Sequence, residues 1–161
     1  MANTDTTAVA APTEAWLRRL GARQQQTSFA CRPVAERGLG LRFDLRSDGA
    51  VSAEWICPAG GESYAGIVHG GLLATALDSA MVHALFARGI VARTGELTVR
   101  YRQPVRVGEP VIVVARHRVA YHPLHHLEAE IHQAGALCAH ARGKFMAISD
   151  TPSATSPSLP R

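Results

Sequence analysis

Between Leu41 and Arg46 apolar and polar side chains alternate, with Leu41, Phe43 and Leu45 set against Arg42, Asp44 and Arg46. A period of two marks a strand with one buried face, and Asp48-Gly49 just beyond it has the chemistry of a hairpin turn. Val51, Ala53 and Trp55 carry the pattern onto a returning strand against Ser52 and Glu54. Alternation resumes at Glu96 to Arg102, from Pro110 to Ala120, at Leu127 to His132 and, after the turn at Ala134-Gly135, from Leu137 to Ile148. Between the two sets the period changes. The stretch from Gly70 to Gly89 is apolar nearly all round, as a helix embraced by a sheet must be. Upstream, Thr13 can cap a short helix on which Trp16, Leu17 and Leu20 share a face. The expectation is an α+β fold: a mainly antiparallel sheet of about six strands wrapped around one long central helix, with a short N-terminal helix.

The ends carry no such pattern. Residues 1–12 read as a flexible tail and residues 151–161, rich in proline and serine, as a disordered one, leaving residues 13–150 as a single domain. A chain of 161 residues, 47% hydrophobic and 19% charged, can bury a core without metal or disulfide. Its three cysteines are far apart and odd in number, so no disulfide framework or zinc site is expected. The N-terminus lacks the basic and apolar regions of a signal peptide, and the later apolar runs are too broken to span a bilayer. These features point to the cytoplasm. The net charge of +4 is dispersed and aromatics are 6%. That composition speaks against nucleic-acid binding and suits a small polyanionic ligand.

Polar residues on the long helix are few: Thr75, Asp78, Ser79 and His83. A solvated stripe would carry Lys, Glu or Arg, and none occurs before Arg88. Asp78 is therefore either an acid satisfied by hydrogen bonds or a working carboxylate. Gly70 and Gly71 lie where the helix begins, so its first N–H groups are unpaired and open to close approach. The positive end of the helix favours a carbonyl oxygen becoming an oxyanion. Glycines at that position equally allow tight helix–sheet packing. Eight residues separate Gly70 from Asp78, about 12 Å along one helix. One small reacting group can touch both only if Asp78 comes from a second chain whose helix runs antiparallel, as a two-fold dimer provides.

GIVHGGLLATALD (66–78), GELTVRYRQPVRVGEPV (95–111) and ALCAHARGKFM (136–146) resemble the hotdog-fold thioesterase superfamily, in its phenylacetate-pathway (PaaI-like) branch of acyl-CoA thioesterases. The resemblance spans residues 38–148. It implies a sheet wrapped round the helix, sites shared across a dimer, and dimers paired into a homotetramer. It makes Asp78 the catalytic carboxylate, Gly70 N–H the donor that polarises the carbonyl, His69 a helper at the mouth and Thr94 the hydroxyl that positions water. Ser63, where some relatives have an amide side chain, joins Gly71 and Ser79 as a candidate substrate contact. The implied reaction is hydrolysis of an aromatic or medium-chain acyl-CoA without metal or organic cofactor. Asp78 would act as general base or as nucleophile. The basic candidates for the coenzyme A phosphates are Arg100, Arg102, Arg106, Arg116, Arg118, Arg142 and Lys144.

Two rivals share the fold. A non-catalytic hotdog protein could bind an acyl thioester as sensor or carrier partner, although it gains nothing from an acid beside the carbonyl. A dehydratase needs a different loop motif. The run Tyr121-His122-Pro123-Leu124-His125-His126 lacks convergent metal ligands, and Cys138 reads as a packed small residue. No G-x-S-x-G elbow occurs.

Overall fold

Ten residues of the helix α2 (Gly70–Phe86, 17 residues) are buried, among them Leu73, Leu77, Met81 and Leu85. They are enclosed by the strands β1 (Asp44–Leu45), β2 (Val51–Trp55), β5 (Ala92–Tyr101), β6 (Val111–Tyr121), β7 (Leu124–Gln133) and β8 (Ala136–Ala147). The computed structural model describes residues 6–148. The C-terminal stretch 151–161 and the first five residues lie outside the described residues.

The six strands form one sheet in the order β1-β2-β6-β7-β8-β5, every pairing antiparallel. Along β7 buried and half-buried positions alternate strictly. Leu127, Ala129 and Ile131 turn toward α2, and Glu128, Glu130 and His132 toward the outer face, as a pleat with one core side requires. Phe145 from β8 and Val113 from β6 are fully buried in the same core. This is the α+β architecture expected from the alternation.

Two local expectations need correcting. Of the alternating stretch 41–46, only Asp44–Leu45 joins the sheet. The backbone just before it pairs instead with the 29–32 loop, through Leu39 N–H on Phe29 O (2.9 Å) and Leu41 N–H on Ala30 O (3.0 Å). A separate hairpin, β3 (Glu62–Tyr64) with β4 (Ile67–Val68), precedes α2. All three residues of β3 are exposed, so no buried face left a period to read.

The helix α1 (Glu14–Thr27) lies against α2 and begins with the expected cap, Thr13 Oγ1 accepting from Trp16 N–H at 3.3 Å. The stretch expected to be an N-terminal tail includes Thr7 and Ala10. Thr7 N–H donates to Ala120 O (2.9 Å), its hydroxyl accepts from His122 N–H (3.0 Å), and Arg88 donates to Ala10 O (2.7 Å).

Candidate active site

The start of α2 is built by three residues in sequence. His69 has extended backbone (φ −61, ψ 129), and its Nδ1 accepts the Gly71 N–H at 2.9 Å, capping the helix. Leu72 and Leu73 N–H both turn to His69 O. The Gly70 N–H is left with no acceptor among the described residues. It is half-buried at the positive end of a helix, so a carbonyl oxygen placed there gains a hydrogen bond and a favourable field.

Asp78 lies two turns further on, partly buried. Its Oδ1 accepts the Thr94 hydroxyl at 2.8 Å. The approach follows from β5: its pairing with β8 slips between Thr94 and Glu96, and a bulge at Gly95 re-aims the side chain before it. Burial pushes the Asp78 carboxyl above the usual carboxylate range, and the Thr94 hydrogen bond pulls part of that back. One oxygen is thus held, and the other has no hydrogen-bond partner among the described residues. A cavity of about 370 Å³ opens beside it, walled by Phe29, Val82, Phe86 and Val91. Phe29 and Val91 are unusually exposed for apolar residues, 47% and 39%.

The remaining expected residues scatter. Thr75 folds back onto Gly71 O at 2.9 Å, and Gly71 is occupied by His69. Ser79 is buried and turns toward Cys31 Sγ (3.7 Å), although it also borders the cavity. Ser63 stands exposed on β3. Two polar groups near the site were given no role by the sequence, although His83 belongs to the polar set noted on the long helix. His83 is buried with its Nδ1 on Ser79 O at 2.8 Å, and burial drops its pKa to about 4, so it is neutral. Because the carbonyl can only accept, Nδ1 carries the proton and Nε2 faces Cys31 at 3.8 Å. The other is Tyr101, whose hydroxyl donates to Gly70 O at 2.8 Å. Its place on β5 in register with Leu97 and Val99 was the available signal.

Among the described residues, no three His, Cys, Asp or Glu side chains converge on one point. The histidine run divides: His125 turns inward to His117 (3.1 Å), and His126 stacks edge-on with Tyr121 at 6.0 Å. A cavity of about 590 Å³ lies on the outer sheet face. Arg116 there is bound to Asp48 at 2.8 Å and Arg118 to Glu128 at 2.7 Å. Those two guanidinium groups are paired, and neither Asp78 nor Gly70 lines this cavity. Among the described residues, no helix is long and apolar enough to cross a membrane.

Residues 65–135, which include both Gly70 and Asp78, match the thioesterase superfamily. No curated protein matches the chain. Several solved structures share its fold. The PaaI protein of the E. coli phenylacetic acid degradation operon is 18% identical, covering 84% of this chain and 95% of its own, with a TM-score of 0.71. A thioesterase superfamily protein is 24% identical over 68% of this chain, with a TM-score of 0.65; the alignment spans only 55% of that protein's length. A hypothetical thioesterase from Streptococcus pneumoniae TIGR4, solved with coenzyme A, is 16% identical, covering 66% of this chain and 87% of its own, with a TM-score of 0.62. The same streptococcal protein has been solved as two alanine variants, one of an aspartate and one of a threonine 16 positions later.

Proposed function

We propose that this chain, a hotdog-fold member of the thioesterase superfamily, hydrolyses an aromatic or medium-chain acyl-CoA in a homodimer. The observation that carries this is the division of one site between the start of α2 and its middle. An unpaired donor stands at Gly70 and a desolvated acid at Asp78, each without the other's chemistry close by. Two features favour a second copy as the complement. Among the described residues, β5 is a 10-residue edge strand with no neighbour on its outer side, and a partly exposed run of small residues on α2 lies beside it. A two-fold axis along that edge would pair the strands, set the helices antiparallel and bring Asp78 of one protomer to the Gly70 end of its partner, twice over.

In such a site the thioester carbonyl accepts from Gly70 N–H and is polarised at the positive helix end. The uncommitted oxygen of Asp78 then takes a proton from water attacking the carbonyl carbon, or attacks that carbon itself. Thr94 keeps the carboxylate aimed. The streptococcal aspartate and threonine stand 16 positions apart, as Asp78 and Thr94 do here, which supports reading them as a functional pair. The apolar cleft beside Asp78 suits the acyl group. Unpaired thiols and a coenzyme A ester both fit the cytoplasm, where we place the enzyme.

Thiol release across a panel of acyl-CoAs tests the reading, with turnover of at least one aromatic or medium-chain ester expected. Tight binding with no turnover would favour a sensor instead.

The cations sort by partner. Arg116, Arg118, Arg142 and Lys144 are held by Asp48, Glu128 and Glu96. Among the described residues Arg100, Arg102 and Arg106 face no carboxylate at ion-pair distance. Arg106 also borders a cavity of about 470 Å³ with Gly66, Ile67 and Gln103, and β4 runs from there to His69. Arg106 therefore suits a nucleotide phosphate. Arg106→Glu is expected to raise KM for the CoA ester about tenfold, the worth of one charge-assisted contact. KM for the matching pantetheine thioester, which lacks the nucleotide, should stay unchanged. Equal effects on both substrates would remove Arg106 from phosphate binding.

A further inference from the structure

The donor at the start of α2 sits on a Gly-Gly pair, the least constrained backbone a chain can offer. The Gly70 N–H belongs to the His69–Gly70 peptide unit, whose carbonyl already takes the Leu72 and Leu73 N–H, so what remains to be fixed is where this first turn sits against β5. The peptide unit joining Gly70 to Gly71 is tied at both poles. Its N–H goes to His69 Nδ1 at 2.9 Å, and its carbonyl receives the Tyr101 hydroxyl at 2.8 Å. The Tyr101 ring also lies flush against Gly70, since a Cβ built there would stand 3.3 Å from Cζ and 3.5 Å from Cε1. Tyr101 is 51% exposed, so water could satisfy its hydroxyl, yet that hydroxyl is committed to this carbonyl.

We propose that Tyr101 is a positioning residue: by anchoring the Gly70 carbonyl it docks the first turn of α2 against β5 and so fixes where the free Gly70 N–H stands relative to the substrate carbonyl. The inference rests on Gly70 N–H being the donor in thioester hydrolysis. Carbonyl polarisation depends steeply on donor direction, and displacements of about 1 Å can cost a hundredfold in rate.

Tyr101→Phe keeps the ring and deletes only the anchor. Expected is a fall in kcat of about tenfold to a hundredfold, with KM within about twofold and the dimer intact. A structural role is separated by a double-mutant cycle with Gly70→Pro, which lacks the N–H altogether. If Tyr101 acts by placing that donor, Tyr101→Phe costs nothing further in the Gly70→Pro background. A structural tyrosine would cost the same in both. Equal losses in the two backgrounds, or full kcat in Tyr101→Phe while the wild type is active, would overturn the inference alone. A wild type inert toward every thioester would overturn the functional reading and this inference with it.

Discussion

Asp78→Asn should lower kcat by about a thousandfold, the scale expected for losing a general base or nucleophile, while the dimer and KM change little. The same substitution should raise the melting temperature at pH 7–8. Burial holds the Asp78 carboxyl above the usual carboxylate range, so the folded protein prefers it protonated. Its contribution to stability is fully present below the unfolded carboxylate pKa and is lost as pH rises through the higher folded value. At neutral pH the ionised acid is a cost that asparagine removes, by about 2–4 °C in Tm for each kcal/mol relieved. The gain should shrink as pH falls toward the carboxylate range. The rate obeys the opposite preference, because only the ionised acid can accept a proton or attack. The acid limb of kcat/KM should therefore lie above an ordinary carboxylate's position. Thr94→Val, which deletes the one hydrogen bond favouring the ionised form, should move that limb to higher pH. A pH–rate profile of the wild type and Thr94→Val, beside differential scanning calorimetry of Asp78→Asn, checks all three signs. An Asp78→Asn enzyme of undiminished kcat would remove Asp78 from the chemistry.

That opposition explains why the acid was legible in the sequence. A lone carboxylate among Leu, Ala, Met and Val breaks the rule that helix interiors exclude unpaired charge, and such breaks concentrate where function demands them. The six sheet strands were legible for a related reason. One face of β2, β5, β6, β7 and β8 meets α2, so burial imposes a period of two on Leu127, Ala129 and Ile131 and on their neighbours in register. Where no face is buried, as in Glu62–Tyr64, the hairpin left no trace. Leu41 shows the converse: it is buried, yet its backbone serves a loop, so alternation continued past the point where pairing stops. The aim of Thr94 depends on a one-residue slip at Gly95, and the Tyr101 contact on two residues 31 apart in sequence. Neither has a local pattern. Both follow from register, which only the assembled sheet defines.

The proposed sharing of the site makes a sharper demand, because it concerns two chains. Gly70→Pro should delete the carbonyl donor with little harm to the fold. Gly70 is the first helical residue, where proline's missing N–H is tolerated. His69 before it already has the extended backbone that a following proline requires (ψ 129). A Cβ at Gly70 would stand 3.3 Å from Tyr101 Cζ, which has only to give by a few tenths of an ångström. Loss of one such donor is expected to lower kcat by about a hundredfold to a thousandfold. Asp78→Asn and Gly70→Pro homodimers should each be nearly inactive. In a heterodimer, however, the intact Asp78 of the proline variant faces the intact Gly70 of the asparagine variant. One of its two sites is then whole, and the other carries both defects. Unfolding and refolding the two variants together at equal concentration should place half the dimers in the mixed form, restoring about a quarter of wild-type activity. That is a gain of roughly two orders of magnitude over either variant alone. Were Asp78 and Gly70 of the same chain to serve one site, mixing would restore nothing, and the antiparallel-helix arrangement would fall while each residue kept its individual role. The result depends only on which chain supplies which group, so it holds whether Asp78 activates water or attacks the carbonyl directly.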